Sequence, residues 1–136
     1  MKGTTVAITD DQTSVRQGIQ TMLEAETDLV VVGEASSGLE TLRLVDEVRP
    51  EVLVLDLVLG DINGFEVTSR LREKWPETKV VIFSMHWDGK HVLRAQQVGA
   101  SAYVPKKTPY ELVKAIHEVS AGREYFPGHT ESPPEN

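Results

Sequence analysis

Five polar residues sit where apolar runs end, and their types suggest phosphoryl chemistry. Asp10 and Asp11 follow the run Val6-Ala7-Ile8; Asp56 follows Val52 to Leu55. Ser84 follows Val80 to Phe83, and Lys106 comes just after Ala102 to Val104. If these runs are neighbouring parallel strands, three carboxylates, a hydroxyl and an ammonium converge on one sheet edge, where open α/β sheets bind ligands. Clustered carboxylates repel each other, and their pKa values rise unless a cation intervenes. Oxygen donors without sulfur suit a hard ion. Magnesium, with manganese as the alternative, takes one or two carboxylates and keeps waters for a phosphorylated partner. The lysine and the hydroxyl are then left to hold phosphoryl oxygens. A carboxylate can itself accept a phosphoryl group as an aspartyl phosphate. Asp56, ending the run expected to be the central strand, has the best position for that.

The elements that must position these groups are legible. The runs Val6 to Ile8, Leu29 to Val32, Val52 to Leu55, Val80 to Phe83 and Ala102 to Val104 are continuous, as expected of parallel strands covered on both faces. Between them the period becomes helical. Val15, Ile19, Met22 and Leu23 share a face; so do Leu39, Leu42, Val45 and Val48, and Leu112, Ile116 and Val119. Ser37 with Glu40, Asn63 with Glu66 and Thr108 with Glu111 have capping-box spacing, and Asp88 is placed to cap the fourth helix. Gly99 and Gly122 suit helix C-termini. The stretch from Gly89 to Val98 is the least amphipathic. Strand and helix alternate five times, which predicts a doubly wound α/β sheet with right-handed crossovers.

Composition narrows the function classes. The chain has 136 residues, enough for one core without disulfides or a structural metal. It has no cysteine, which excludes zinc thiolate sites and thiol catalysis. The net charge of −7 repels nucleic-acid phosphates, and Lys106-Lys107 is the longest cationic cluster, so no nucleic acid is expected to bind this chain alone. No run reaches the length of a membrane span and no signal-peptide pattern opens the chain. The expectation is a soluble, cytoplasmic protein with no membrane partner.

The stretches "AITDDQ", "VLVLDLVLGDINGFEV", "VVIFSMH" and "VGASAYVPKKTPYELVKAI" together resemble response-regulator receiver domains of two-component signalling, over roughly residues 3 to 124. The wording "SMH", "GASAYVPK" and "AGREYF" is most similar to the NarL/FixJ (LuxR-type) subfamily. The resemblance implies a flavodoxin-like (CheY-like) (βα)5 sheet of order 2-1-3-4-5, with a receiver domain over 1–124 and a tail or linker over 125–136. It implies magnesium-dependent phosphorylation of Asp56 by a sensor histidine kinase in a bacterial cytoplasm. Asp11 and Asp56 would ligate the ion, Asp10 mainly through water, and Val58 through its backbone carbonyl. Lys106 would contact the phosphoryl group. Ser84 would donate its hydroxyl to it after activation, and Tyr103 would turn inward as the aromatic switch. Phosphorylation would favour an active surface near the fourth helix, fifth strand and fifth helix, with homodimerisation or release of a transcription-regulating DNA-binding domain as the output. This chain ends before such a domain could form, as a stand-alone receiver or a cut one would.

Besides the missing C-terminal domain, two departures from the family stand out, and Val58 sits at a position that tunes dephosphorylation in it. Gly60 replaces a frequent proline, which predicts a looser loop after Asp56. Lys107 replaces the proline that often follows the lysine with a cis bond, so no cis bond is expected. Val58 offers no polar group to orient an attacking water, which predicts slow loss of the phosphoryl group. It also argues against a haloacid-dehalogenase-type phosphatase, which needs a second acid there. An inactive interaction module would lack an acid or the lysine, and none is missing. A nucleotide-binding flavodoxin-like domain would carry a glycine-rich loop where this chain has "TDDQ". His86 is expected either to influence water access to the phosphoryl group or merely to line the rim, without binding metal, because no second histidine is placed to help. Trp75 and Trp87 are expected to be partly buried packing residues, and Lys107 a solvated charge.

Overall fold

The computed structural model describes residues 3–127. The elements are β1 (Thr4–Thr9), α1 (Thr13–Glu24), β2 (Leu29–Ala35), α2 (Gly38–Val48), β3 (Val52–Leu55), α3 (Gly64–Lys74), β4 (Lys79–Ser84), α4 (Gly89–Val98), β5 (Ala102–Pro105) and α5 (Leu112–Ser120), the last preceded by a 3-10 turn at Pro109–Glu111. The five strands form one parallel sheet in the order β2-β1-β3-β4-β5. Among the described residues, no helix is long and apolar enough to cross a membrane.

Strand alternation divides the apolar runs between two cores. Val6, Ile8, Val52, Val54, Val81, Phe83, Ala102 and Val104 pack with Ile19 and Leu23 of α1 and with Leu112, Ile116 and Val119 of α5. Ala7, Leu53, Leu55, Val80, Ile82 and Tyr103 point the other way, onto Val45 of α2, Val67 and Leu71 of α3, and Ala95 of α4. Successive strand side chains face opposite sides, so a run buried on both faces needs apolar residues throughout. Truncating one of these wholly buried leucines to alanine costs about 2–5 kcal/mol. The edge strand β2 is the exception to two-sided cover: Val30 is 45% exposed.

Several local expectations are corrected. Leu39, placed by periodicity on the buried face of α2, is 52% exposed. The helix instead buries Gly38, Thr41 and Val45. Thr41 is tolerated inside because its hydroxyl meets Thr9 Oγ1 at 2.8 Å and donates to the Ser37 carbonyl at 2.7 Å. The capping boxes are half formed: Ser37 Oγ and Asn63 Oδ1 accept from the Glu40 and Glu66 N–H groups, but Glu40 turns to Ser36 and Glu66 to Arg70. Thr108 and Asp88 make no side-chain cap bond. Gly99 closes α4 with φ 101°, as a left-handed cap requires. No described peptide bond is cis.

Of the segment 125–136, residues 128–136 lie outside the described residues. Tyr125 and Phe126 do not behave as tail. Tyr125 pairs with Ala102 beside the exposed edge of β5, exchanging backbone bonds with Tyr103 and Ser101. Phe126 packs against the second core.

Candidate functional site

Sheet order brings the carboxyl ends of β1, β3, β4 and β5 side by side. Adjacent backbones are tied there: Asp56 N–H donates to the Thr9 carbonyl at 3.1 Å, and Lys106 N–H to the Ser84 carbonyl at 2.7 Å. Asp10 is 1% exposed and Asp56 6%. One oxygen from each of Asp10, Asp11 and Asp56 lies within 4.8 Å of the others. Lys106 Nζ donates to Asp10 Oδ2 at 2.7 Å and to Asp56 Oδ2 at 3.3 Å.

Three carboxylates thus face one ammonium. Burial pushes the Asp56 carboxyl above the usual carboxylate range; the pull of Lys106 opposes this, and the Asp10 charge adds to it. For Lys106 burial opposes protonation, yet the two carboxylates outweigh it and raise its pKa. The Asp56 shift is set by burial and the Lys106 shift by its carboxylate partners. Asp11 is exposed and makes no hydrogen bond or ion pair among the described residues. An oxygen-only donor set with one uncommitted carboxylate fits a hard dication such as magnesium. Asp11 and Asp56 Oδ1, whose one hydrogen bond among the described residues is the long one from the Val58 N–H, are the groups placed to hold it; Asp10 is already engaged by Lys106.

The remaining predicted residues surround this pocket. Ser84 is 1% exposed, and its Oγ accepts from the His86 N–H at 3.1 Å. Val58 is 58% exposed, with its N–H 3.5 Å from Asp56 Oδ1. Tyr103 is wholly buried, so the ring stands in the inward position, and its hydroxyl donates to the His86 carbonyl at 2.6 Å. Burial pushes its phenol up to about 12. Gly60 has φ 89°, so a proline there would not fit this loop.

Periodicity missed the groups that shape the pocket from a distance. Arg16 donates to the Asp10 carbonyl at 2.6 Å while pairing with Glu34 at 2.7 Å, which fixes the backbone that aims Asp10. Asp61, in the loop after Asp56, accepts from the N–H groups of Gly38 and Leu39 at 2.8 and 2.9 Å. It caps α2 from another element and pins the loop. Gly64 matters for space: a Cβ there would stand 2.6 Å from the Asp56 carbonyl oxygen. The "DING" stretch was the available signal for both.

Three side-chain expectations change, two of them beside the site. His86 does have a histidine neighbour: His91 lies parallel to it, with ring centroids 4.4 Å apart. The loop from Ser84 to Asp88 folds back over the first turn of α4, a contact that helical spacing cannot reveal. Lys107 Nζ lies 3.4 Å from the Trp87 ring centroid, so its charge is partly held by a cation–π contact. Trp75 is buried more fully than expected, at 7% exposed.

Comparison with known proteins agrees with the fold and the subfamily wording. The family model described as "Response regulator receiver domain" matches residues 6–117. The nitrate/nitrite response regulator protein NarL of Escherichia coli is 34% identical over 119 residues, covering 87% of this chain and 55% of NarL. A transcriptional regulatory protein of Bacillus subtilis, YhcZ, is 36% identical over 110 residues, covering 80% and 51%. The chain spans about half the length of these relatives. The crystal structure of a LuxR-family two-component response regulator from an Aurantimonas species superposes with a TM-score of 0.88 at 34% identity, covering 97% of this chain and 91% of that one. With a family match over most of its length and relatives on the NarL side of it, this chain belongs to the response-regulator receiver domains of the NarL/LuxR type.

Proposed function

We propose that Asp56 accepts a phosphoryl group from a phosphohistidine of a sensor histidine kinase, and that Asp10, Asp11, Lys106, Ser84 and Tyr103 serve that transfer and its readout. The observation that carries this reading is the Lys106 ammonium shared between Asp10 and Asp56, with the Asp11 carboxylate beside them. In the transfer the phosphorus–nitrogen bond of the donor breaks and a bond from phosphorus to an Asp56 carboxylate oxygen forms. Receiver domains generally use magnesium; when bound it offsets charge on the phosphoryl oxygens. Asp11 and Asp56 would hold it, with Asp10 and the Val58 backbone carbonyl as further ligand positions. Lys106 balances the charge left on Asp56. Ser84 donates its hydroxyl to a phosphoryl oxygen, and Tyr103 registers the change.

The receiver unit takes in residues up to about the end of α5, with Tyr125 and Phe126 packed on it. The relatives are named as regulators of nitrate/nitrite response and of transcription. By extension, phosphorylation here controls a DNA-binding output, with homodimerisation as the step between.

Intact mass after incubation with magnesium and acetyl phosphate tests the reading, beside an Asp56→Asn variant. One phosphoryl adduct, dependent on magnesium and absent from the variant, is expected. An adduct that persists in the variant would assign the acceptor elsewhere, and none on folded, magnesium-binding protein would favour an interaction module.

A further inference from the structure

The loop leaving β4 carries a second cluster, with softer donors than the aspartate pocket. His86, Asp88 and His91 each present a ligand atom, all within 4.8 Å of one another. Asp88 occupies the N-cap of α4 but gives no bond to the helix N–H groups. Its Oδ1 lies instead 2.6 Å from His91 Nδ1. A metal that replaces the proton shared between Asp88 Oδ1 and His91 Nδ1 would take both atoms as ligands, with release of that proton. His86 is exposed, and its ring nitrogens make no hydrogen bond among the described residues. We infer that His86, Asp88 and His91 form a binding site for a divalent transition metal of the zinc class, separate from the magnesium-type pocket.

Donor chemistry separates the two sites. Imidazole suits zinc, nickel, copper and cobalt, whereas carboxylates without imidazole suit magnesium. Two histidines and a carboxylate match the three-ligand set of open zinc sites. The plain alternative is a surface ion pair between Asp88 and His91 with His86 stacked on it. That reading leaves unexplained neither bond, but it predicts no metal affinity, so the two are separable. A metal lies in the plane of each imidazole that binds it, and the rings are now parallel within 5°. Binding therefore opens the stack: His86, on the loop, turns until one of its ring nitrogens converges with His91 Nδ1 and Asp88 Oδ1.

The site would act on the pocket through the backbone of His86. Its N–H is held by Ser84 Oγ and its carbonyl by the Tyr103 hydroxyl. Holding the His86 ring restrains both. This consequence rests on the receiver reading above; the metal site itself does not. Coupling of this kind is reciprocal, so phosphorylation and metal would weaken each other.

Calorimetric titration with Zn2+ in excess magnesium tests the site, since magnesium occupies the acidic pocket. One zinc per chain is expected. His86→Ala and His91→Ala should each weaken binding at least about tenfold, with Asp11→Asn unchanged. The three side chains lie at the surface, and circular dichroism verifies that the variants fold. No zinc binding, or binding untouched by both histidine variants, overturns the site. The coupling has its own readout: the phosphorylated parent should bind zinc more weakly than the unphosphorylated parent. Equal zinc affinities of the two forms overturn the coupling. Failure of labelling by acetyl phosphate with magnesium alone would instead overturn the receiver reading, and the titration would still decide the site.

Discussion

Replacing Lys106 with methionine keeps an apolar stem and removes the one cation that both buried carboxylates share. Its Nζ lies 2.7 Å from Asp10 and 3.3 Å from Asp56, and the lysine side chain is 13% exposed against 1% and 8% for the acids. Breaking a buried ion pair from one side typically costs about 3–5 kcal/mol. Here the loss sits at the lower end, about 3 kcal/mol, because Asp56 can take up a proton in place of the missing cation. At roughly 3–4 °C per kcal/mol for a domain of this size, the melting temperature falls by about 10 °C at neutral pH. The pH dependence follows from direction. Burial already raises the Asp56 carboxyl, and losing Lys106 raises it further. A carboxyl raised in the folded state favours the fold at low pH, and that contribution is lost as pH rises through the folded value. Lys106, raised in the parent, contributes fully at neutral pH and loses its effect only above the usual lysine range. The deficit of the variant therefore grows from mildly acidic to neutral pH. Magnesium should restore part of it, because a ligand of the folded state stabilises by mass action. Urea unfolding at both pH values, with and without magnesium, measures this. An equal deficit under all four conditions would mean that the charge pairing of Lys106 with the two carboxylates is not what stabilises the pocket.

Three further outcomes follow from the same geometry. Gly64→Ala puts a methyl group 2.6 Å from the Asp56 carbonyl oxygen and 2.9 Å from Leu57 Cα, so it should destabilise by about 1–3 kcal/mol; an unchanged urea midpoint would disprove the close approach. Asp61→Ala removes the acceptor of the Gly38 and Leu39 N–H groups, which hold the Asp61 carboxyl below its usual range. Its stabilising effect is present above the usual carboxylate pKa and lost as pH falls through the lowered one, so the melting temperatures of parent and variant should converge in acid. Phosphorylated parent should decay more slowly than Val58→Asn by time-resolved mass measurement, and equal or faster decay in the parent would sink the role given to Val58.

What could be read in the sequence was what repeats locally. Val52 to Leu55 is apolar throughout because β3 is central and covered on both faces, and an acid at its end has to be reached from the sheet edge. Once strand order is set, Asp10, Asp56, Ser84 and Lys106 meet without further information. What failed involved contacts between distant segments. Thr41 displaced Leu39 from the core because Thr9, on another strand, offers its hydroxyl a partner. Asp61 reaches a helix 22 residues earlier, and no period encodes that distance. His91 escaped notice beside His86 for a related reason: a loop reversal, rather than a helical turn, brings them together. Tyr125 read as tail because its strand-like pairing with Ala102 is a single bridge.

The position of His86 bears on how the proposed switch works. Ser84 Oγ accepts from the His86 N–H, which leaves its own proton free. A hydroxyl donates and accepts at once, so Ser84 can donate to a phosphoryl oxygen on Asp56 without first giving up His86. Movement of Ser84 toward that oxygen then pulls the His86 backbone with it. The His86 carbonyl holds the Tyr103 hydroxyl, and the ring is already inside. The two switch residues are thus joined by the main chain of a third, and the signal need not wait for Ser84 to vacate a space that the ring then fills. Tyr103→Phe separates these mechanisms. A phenylalanine still fills space but cannot hold the His86 carbonyl, so a loss of response in that variant would place the coupling in the hydrogen bond.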